Sequence, residues 1–229
     1  MAVTLTTLRS QVRDMSDLDE VDLSDAVIDQ FAREGFQRIY ALERRWPILQ
    51  ETYTFNTVAN QREYTISTIG DIREIISVVD TSTQGARLTL IDYNDAEGIW
   101  LGNLDVASRP YFYSFWDKKI QLWAKPDIVY SMTVRAFRNP LYTWLTNITQ
   151  EIDLDEWFHA ILPYFVLARV YQRQEDSELA NMYLKSFEEG VALARRDLMK
   201  ASSAQPVVMS GGRQYPTMKR WLQTLGRTL

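Results

Sequence analysis

The stretch Arg44–Tyr64 reads RRWPILQETYTFNTVANQREY, and the periodicity of the chain changes inside it. Upstream, Ser24–Arg45 places Val27, Ile28, Phe31, Phe36, Ile39, Tyr40 and Leu42 mostly on one helical stripe. Downstream, Thr52–Phe55 and Arg62–Ile66 alternate as strands do. Proline disfavours a helical conformation in the residue before it, so the helix must stop at or before Trp46. Trp46 and Pro47 are therefore read as a joint, with a large aromatic packing a helix end onto a sheet. Gly35 interrupts the helical stripe and predicts a close approach of another backbone.

Working back to the N-terminus, Thr4–Met15 has Leu5, Leu8, Val12 and Met15 at helical spacing. Asp14, Asp17, Asp19, Glu20, Asp22 and Asp25 follow as an acidic run. A calcium loop fails in detail, because Val21 occupies a ligand position and Asp22 stands where the turn needs glycine. Such a run is read as a solvated turn. Ser24 is placed to cap the next helix, and Asp25 favours its first turn through the helix dipole.

Working forward, Gln50–Asn139 is β in pattern. Strands are expected at Thr52–Phe55, Arg62–Ile66, Ile72–Val79, Arg87–Ile91, Tyr111–Trp116, Lys119–Trp123 and Tyr130–Phe137, with turns at Val58–Gln61 and Thr81–Gly85. Trp116-Asp117-Lys118-Lys119 is the best hairpin candidate, and Asp92–Trp100 reads as a short helix capped by Asp92. Meander spacing indicates an antiparallel sheet or small sandwich rather than a βαβ array. Helical period returns at Asp153, read as a cap, and runs through Trp157, Ile161, Phe165 and Arg169, with Pro163 inside to bend it. A second helix is expected at Asp176–Lys200, forming a helical hairpin with the first. Ala201–Tyr215 has no periodicity and reads as an extended arm, before a short amphipathic segment at Thr217–Leu225.

The expected class is α+β: a discontinuous helical bundle with an inserted antiparallel β domain and an extended C-terminal arm. The corresponding segments are 1–48 and 150–202 for the helical part, 49–149 for the β insertion and 203–229 for the arm.

The 229 residues suffice for one sizeable core or two small ones, and 46% apolar with 24% charged residues is ordinary for a globular protein. Cys is absent, which excludes disulfides and thiol chemistry. No run of transmembrane length or signal-peptide pattern is present, so no membrane partner is expected and the cytoplasm is the expected place of synthesis. The net charge of -5 is uneven. Asp197 is the last acid, and Lys200, Arg213, Lys219, Arg220 and Arg227 follow it. An acidic body with a basic tail argues against a whole-body nucleic-acid binder and suits a tail that docks on an acidic surface.

Chemistry is hard to place. His159 is the single histidine and reads as a partly buried helix residue beside Asp155 or Glu156. There is no P-loop, dinucleotide fingerprint or nucleophile elbow. No catalytic, cofactor-binding or metal-ligating set is expected. Tyr111, Phe112, Tyr113, Phe115, Trp116 and Trp123 cluster across the hairpin. They suit a stacking platform for bases or sugars, or a core plus a subunit interface. Strand alternation favours the second, since one face must point inward.

The order of these motifs resembles that of the head-to-tail adaptor (connector) proteins of tailed bacteriophages. Arg45-Trp46-Pro47, the strand Thr52–Phe55 and then Asn60-Gln61-Arg62-Glu63-Tyr64 are similar to the family's "helix, RRWP, strand, G-Q-x-x-Y" opening, with Asn60 in place of Gly. Ser108-Arg109-Pro110-Tyr111-Phe112-Tyr113 and Ile120–Asp127 resemble its "R-P-x-x-Y … I-x-L-x-P-x-P-D" hairpin, with Ala124 in place of the first Pro. Leu154–Ala168 and Asp176–Arg195 resemble its closing helical hairpin. The resemblance implies a structural virion protein without enzyme activity or cofactor. It implies a homo-oligomeric ring, commonly of twelve copies, seated on the portal protein at the head–tail junction. Such a ring extends the DNA channel, passes double-stranded DNA without sequence-specific binding, and receives the tail or nozzle protein. A stopper or tail-completion protein of the same channel is the second reading. A carbohydrate- or nucleic-acid-binding module using the aromatic hairpin is the third. Within the first reading, Arg213, Tyr215, Met218, Lys219, Arg220, Trp221, Leu225 and Arg227 are the partner-binding residues of the arm. Asp17, Asp19, Glu20 and Asp22 are the candidate acids facing the lumen, where like charge would keep DNA from being gripped.

Overall fold

A computed structural model describes residues 3–82, 85–100 and 107–203. Helix α1 (Leu5–Ser16) opens with a capping box between Thr4 and Thr7 and buries Leu5, Leu8 and Val12. It closes at Asp17, whose φ of 56° turns the chain and whose N–H donates to the Arg13 carbonyl. Helix α2 (Asp25–Leu42) buries Ile28, Ala32, Gly35, Phe36, Ile39 and Tyr40. Ser24 stands at its cap position without a side-chain bond, and the helix stops at Leu42, ahead of the expected Arg45. Arg9 and Arg13 on α1 pair with Asp25 and Asp29 on α2 and lock the two helices.

After a 3-10 turn at Pro47–Leu49 come β1 (Gln50–Asn56), β2 (Glu63–Thr65), the one-turn α3 (Ile66–Ile69) and β3 (Ile72–Asp80). Then follow β4 (Ala86–Arg87), β5 (Thr89–Leu90), α4 (Tyr93–Trp100), β6 (Phe112–Trp116), β7 (Lys119–Trp123) and β8 (Ser131–Arg138). The strands form two four-stranded sheets, in the orders β1-β8-β3-β4 and β2-β7-β6-β5. One apolar cluster holds Tyr64, Tyr113, Ile120 and Leu122 from one sheet with Val78, Met132, Val134 and Ala136 from the other. The two sheets thus share a core. On its other face the second sheet meets α4 through Phe112, Trp123 and Ala96.

The expected β segment is present, with two departures. Arg87–Ile91 is not one strand. Leu88 donates its N–H to Val78 in the first sheet, while Thr89 donates to Tyr111 in the second, so the chain crosses between sheets there. The pair it then forms, β5 with β6, is parallel, whereas an antiparallel sheet was expected. The class remains α+β.

Two further expectations need correction. The helix starting at Asp153 is two helices, α5 (Glu156–His159) and α6 (Leu162–Arg173). Pro163 does not bend a helix from inside: it lies in the first turn of α6, where its missing N–H removes no bond. Asp153 is not the cap either. Its carboxylate accepts from the two terminal guanidinium nitrogens of Arg138 and from the Leu141 N–H, so the cap falls to Asp155, which accepts from Trp157 N–H at 3.2 Å. Helix α7 runs Ser177–Ser203 and so continues past Ala201, where the arm was expected to begin. The remainder of that arm, including Arg213, Tyr215, Met218, Lys219, Arg220, Trp221, Leu225 and Arg227, lies outside the described residues.

The largest apolar cluster draws on α1, α2, α5, α6 and α7, together with Trp46, Leu49, Phe137 and Trp144. At Gly35 an added Cβ would lie 2.8 Å from Leu162 Cδ1 and from Phe165 Cδ1. The close approach expected there is therefore made by α6 side chains rather than by another backbone.

Candidate functional site

Trp46 sits where the chain leaves the helices. The side chain is 1% exposed, its indole N–H donates to the Ile39 carbonyl at 3.1 Å, and its ring meets Phe158 edge-on with centroids 5.0 Å apart. The Ile39 carbonyl lies in the last turn of α2, so Trp46 satisfies a helix-end acceptor while filling the core. Pro47 starts the 3-10 turn that delivers Leu49, fully buried, to the same cluster. Arg45 reaches outward and pairs with Glu74 on β3 at 2.5 Å. At the return of the chain, Phe137 at the end of β8 enters the helical cluster. Beside it Arg138 pairs with Asp153 at 2.6 Å, and the Tyr40 hydroxyl donates to the Asp153 carbonyl. Burial and the Asp153 charge push the Tyr40 hydroxyl well above the usual tyrosine range.

The other motif residues also serve bracing. Asn60, at φ 64°, takes the left-handed turn conformation that glycine would take, and its N–H donates to the Pro126 carbonyl. The Tyr64 hydroxyl bonds Val58 and Gln61, closing that turn from inside. Arg109 donates to Asp80 through two nitrogens, and its guanidinium lies 5.8 Å from the Tyr130 ring centroid. Tyr130 in turn donates to Asp127 at 2.7 Å, and its hydroxyl is pushed up to about 12 by burial and by that carboxylate. At Asp80, burial pushes the carboxyl up, but hydrogen bonds from Ser82 and the Arg109 charge outweigh it and hold it below the ordinary carboxylate value. The sequence order drew attention to Arg109 but offered no sign of Asp80 as its partner, nor of Asp153 as the partner of Arg138 and Tyr40. Those pairings join residues far apart in the chain.

The acids Asp17, Asp19, Glu20 and Asp22 lie on the turn between α1 and α2, all exposed. Asp19 Oδ1 accepts the N–H of Val21 and of Asp22, which holds Val21 outward at 91% exposure. None of these four acids forms an ion pair among the described residues. No group of metal-ligating side chains occurs among the described residues. His159 is 5% exposed, with Nε2 3.4 Å from the Ile152 carbonyl, and is not hydrogen-bonded to Asp155 or Glu156.

Among the described residues the open surfaces include a helical groove and the tip of the aromatic hairpin. A groove of about 550 Å³ runs between α2 and α7. Leu42, Val191, Ala192 and Met199 line it, with Arg38, Arg195 and Arg196 opposed by one acid, Glu188. At the hairpin, Phe115 and Trp116 are about half exposed, and Trp116 stacks on Tyr93 with ring centroids 5.2 Å apart. Phe112 and Trp123 are buried on one face and Tyr113 on the other, as alternation requires. Half of the aromatic cluster is thus core, while Tyr111, Phe115 and Trp116 stay exposed. Among the described residues no helix is long and apolar enough to cross a membrane.

This α+β chain commits its motif residues to internal bracing. It belongs to the SU10 adaptor protein family, whose model matches residues 3–210. That membership agrees with the resemblance to phage head-to-tail adaptors. A comparison with curated proteins returned no match.

Proposed function

We propose that this adaptor is a non-enzymatic virion component that forms a closed ring under the portal at the head–tail junction. Twelve copies would match a twelvefold portal. The ring extends the DNA channel and presents the surface on which the tail or nozzle protein seats. Residues 1–48 and 150–202 act as the ring body, residues 49–149 project from it, and residues 203–229 form the basic arm that holds the portal or a neighbouring copy. The observation that carries this reading is the adaptor-family match over nearly the whole chain. Its support in the fold is the bracing at Arg45–Leu49 and Arg138–Asp153, which suits a part that must hold shape under load. DNA would pass without specific contacts, in keeping with the acidic balance of residues before the arm.

The test is negative-stain imaging of the purified chain mixed with its cognate portal protein. A ring of added density on the portal is expected. A chain that leaves the portal bare, or that instead binds free DNA with a steep salt dependence, overturns the proposal.

A further inference from the structure

Both sheets leave an edge open on the same side of the sandwich. Strand β4 covers only Val79 and Asp80 of β3, so Ile72–Ser77 pair with β8 on one side and with no strand on the other among the described residues. Strand β5 likewise covers only Phe112 and Tyr113 of β6, and Ser114–Trp116 lie beyond it. A cleft runs between the two edges, as two adjoining hollows of about 380 and 320 Å³ that share Ile75, Leu90 and Tyr113. Ile76, Leu90 and Phe115 line it and stay exposed. At the end nearest the helices Arg73 lines the cleft, with its Nη2 shut from water and without an acceptor among the described residues. Glu74 beside it is taken by Arg45, and Arg87 at the other end is exposed to solvent.

An open strand edge over an apolar floor takes an extended chain, whose backbone bonds the edge and whose alternate side chains fill the floor. Left uncovered, such an edge is an aggregation hazard. The occupant needs no charge, since a backbone carbonyl satisfies Arg73 and the one lining acid is already paired.

The chain carries such a segment, and it starts nearby. Helix α7 runs toward the sheets: its Gly190 packs on Ile161, ahead of α6, and further along Arg195 pairs with Glu43 at 3.0 Å. Glu43 also accepts the N–H of Arg45, whose guanidinium holds Glu74 at the mouth of the cleft. About 12 Å of helix then carries the chain from Arg195 to Ser203. Next come Ala204-Gln205-Pro206-Val207-Val208-Met209-Ser210, uncharged, with a proline where a strand can begin and Gly211-Gly212 where it can turn away. Extended, they span about 23 Å, enough to run the length of Ile72–Ser77. The match to the adaptor family extends through this segment, to residue 210.

We infer that Pro206–Ser210 docks as an added strand on the open Ile72–Ser77 edge of its own chain, its apolar side chains lying over Ile75 and Leu90. This goes beyond the ring reading and does not depend on it. The part of the arm free to reach a partner then begins at Gly211, beside the sandwich rather than at the helices.

The absence of cysteine makes the contact directly testable. In the dilute full-length chain, Ile76→Cys with Val208→Cys, treated with a short bis-maleimide, should give a link within one chain. Val208→Cys with Val21→Cys, at the far end of α2, should give at least about tenfold less. In parallel, the edge amides of Ile72–Ser77 should exchange hydrogen about tenfold faster in a chain ending at Ser203 than in the full chain. Val208→Asp, which puts a charge into the apolar cleft, should do the same in a chain of full length. Failure to form the link, or equal exchange with and without the arm, overturns the proposal. Links between chains in place of links within one, read by mixing isotopically labelled and unlabelled chains, assign the edge to another copy's arm and overturn it as well. Imaging on the portal reads the ring separately, so the two proposals stand or fall apart.

Discussion

The indole of Trp46 does two things in one buried position: it covers the end of α2 and bonds the Ile39 carbonyl. Trp46→Ala removes both and opens a cavity in a close-packed core, so a loss of about 3–5 kcal/mol is expected in urea unfolding of the purified chain. Trp46→Phe keeps most of the packing and should cost about 1–3 kcal/mol, chiefly for the stranded carbonyl. Asp80 gives a second test, through pH. Its carboxyl ionises more easily in the folded chain than in the unfolded one, because Ser82 and Arg109 favour the charged form more than burial opposes it. That stabilisation is complete above the ordinary carboxylate value and fades as pH falls below about 4. Asp80→Asn should cost about 1–3 kcal/mol at neutral pH. The gap between variant and wild type should narrow as unfolding is repeated from pH 5 down to pH 3. A gap that stays constant would mean the charge is not what matters. Sequence reasoning found Trp46, whose position before a proline has a local cause. It missed Asp80 and misread Asp153 as a cap, because their partners Arg109 and Arg138 are brought to them only by the sheets.

Among the elements, periodicity identified what local chemistry controls. The hairpin at Trp116–Lys119 is a two-residue turn with φ of 48° at Asp117 and 56° at Lys118, as the right-handed twist of its strands demands. Lys118 bears the cost of a left-handed conformation. Lys118→Gly should therefore raise stability, and Lys118→Val lower it, by about 1 kcal/mol each, read from the thermal midpoint. Local pattern could not foresee the crossing at Leu88. Four residues of β4 and β5 divide between two sheets, and the parallel pairing of β5 with β6 depends on where β6 lies, not on the Arg87–Ile91 sequence. The break between α5 and α6 was half legible. Pro163 marked it, but a proline serves as well at a helix start as at a bend, and only the packing of α6 against Gly35 of α2 decides which.

For the molecule as a whole, removing the arm to which the proposed function gives attachment tests folding and assembly separately. Each core cluster of the described residues is built from elements that end by Ser203. A chain ending at Ser203 should keep its cooperative unfolding transition and, under the proposed function, lose attachment to the portal in co-sedimentation. Full attachment of the shortened chain would remove the arm from that role. The connection between helices and sheets has a mechanical consequence. Strand β1 leaves the helical cluster at Leu49, and β8 re-enters it at Phe137, side by side and paired along their length. A pull between the far end of the sandwich and the helices is thus carried by two covalent threads anchored at the same end. Both threads stretch together, so the ladder between them is not sheared, and tension is borne by backbone rather than by hydrogen bonds. Twist is resisted separately, by the largely buried Arg138–Asp153 pair set across the neck. The chain is tied like a strap doubled over, stiff along its length and guarded against rotation at the buckle.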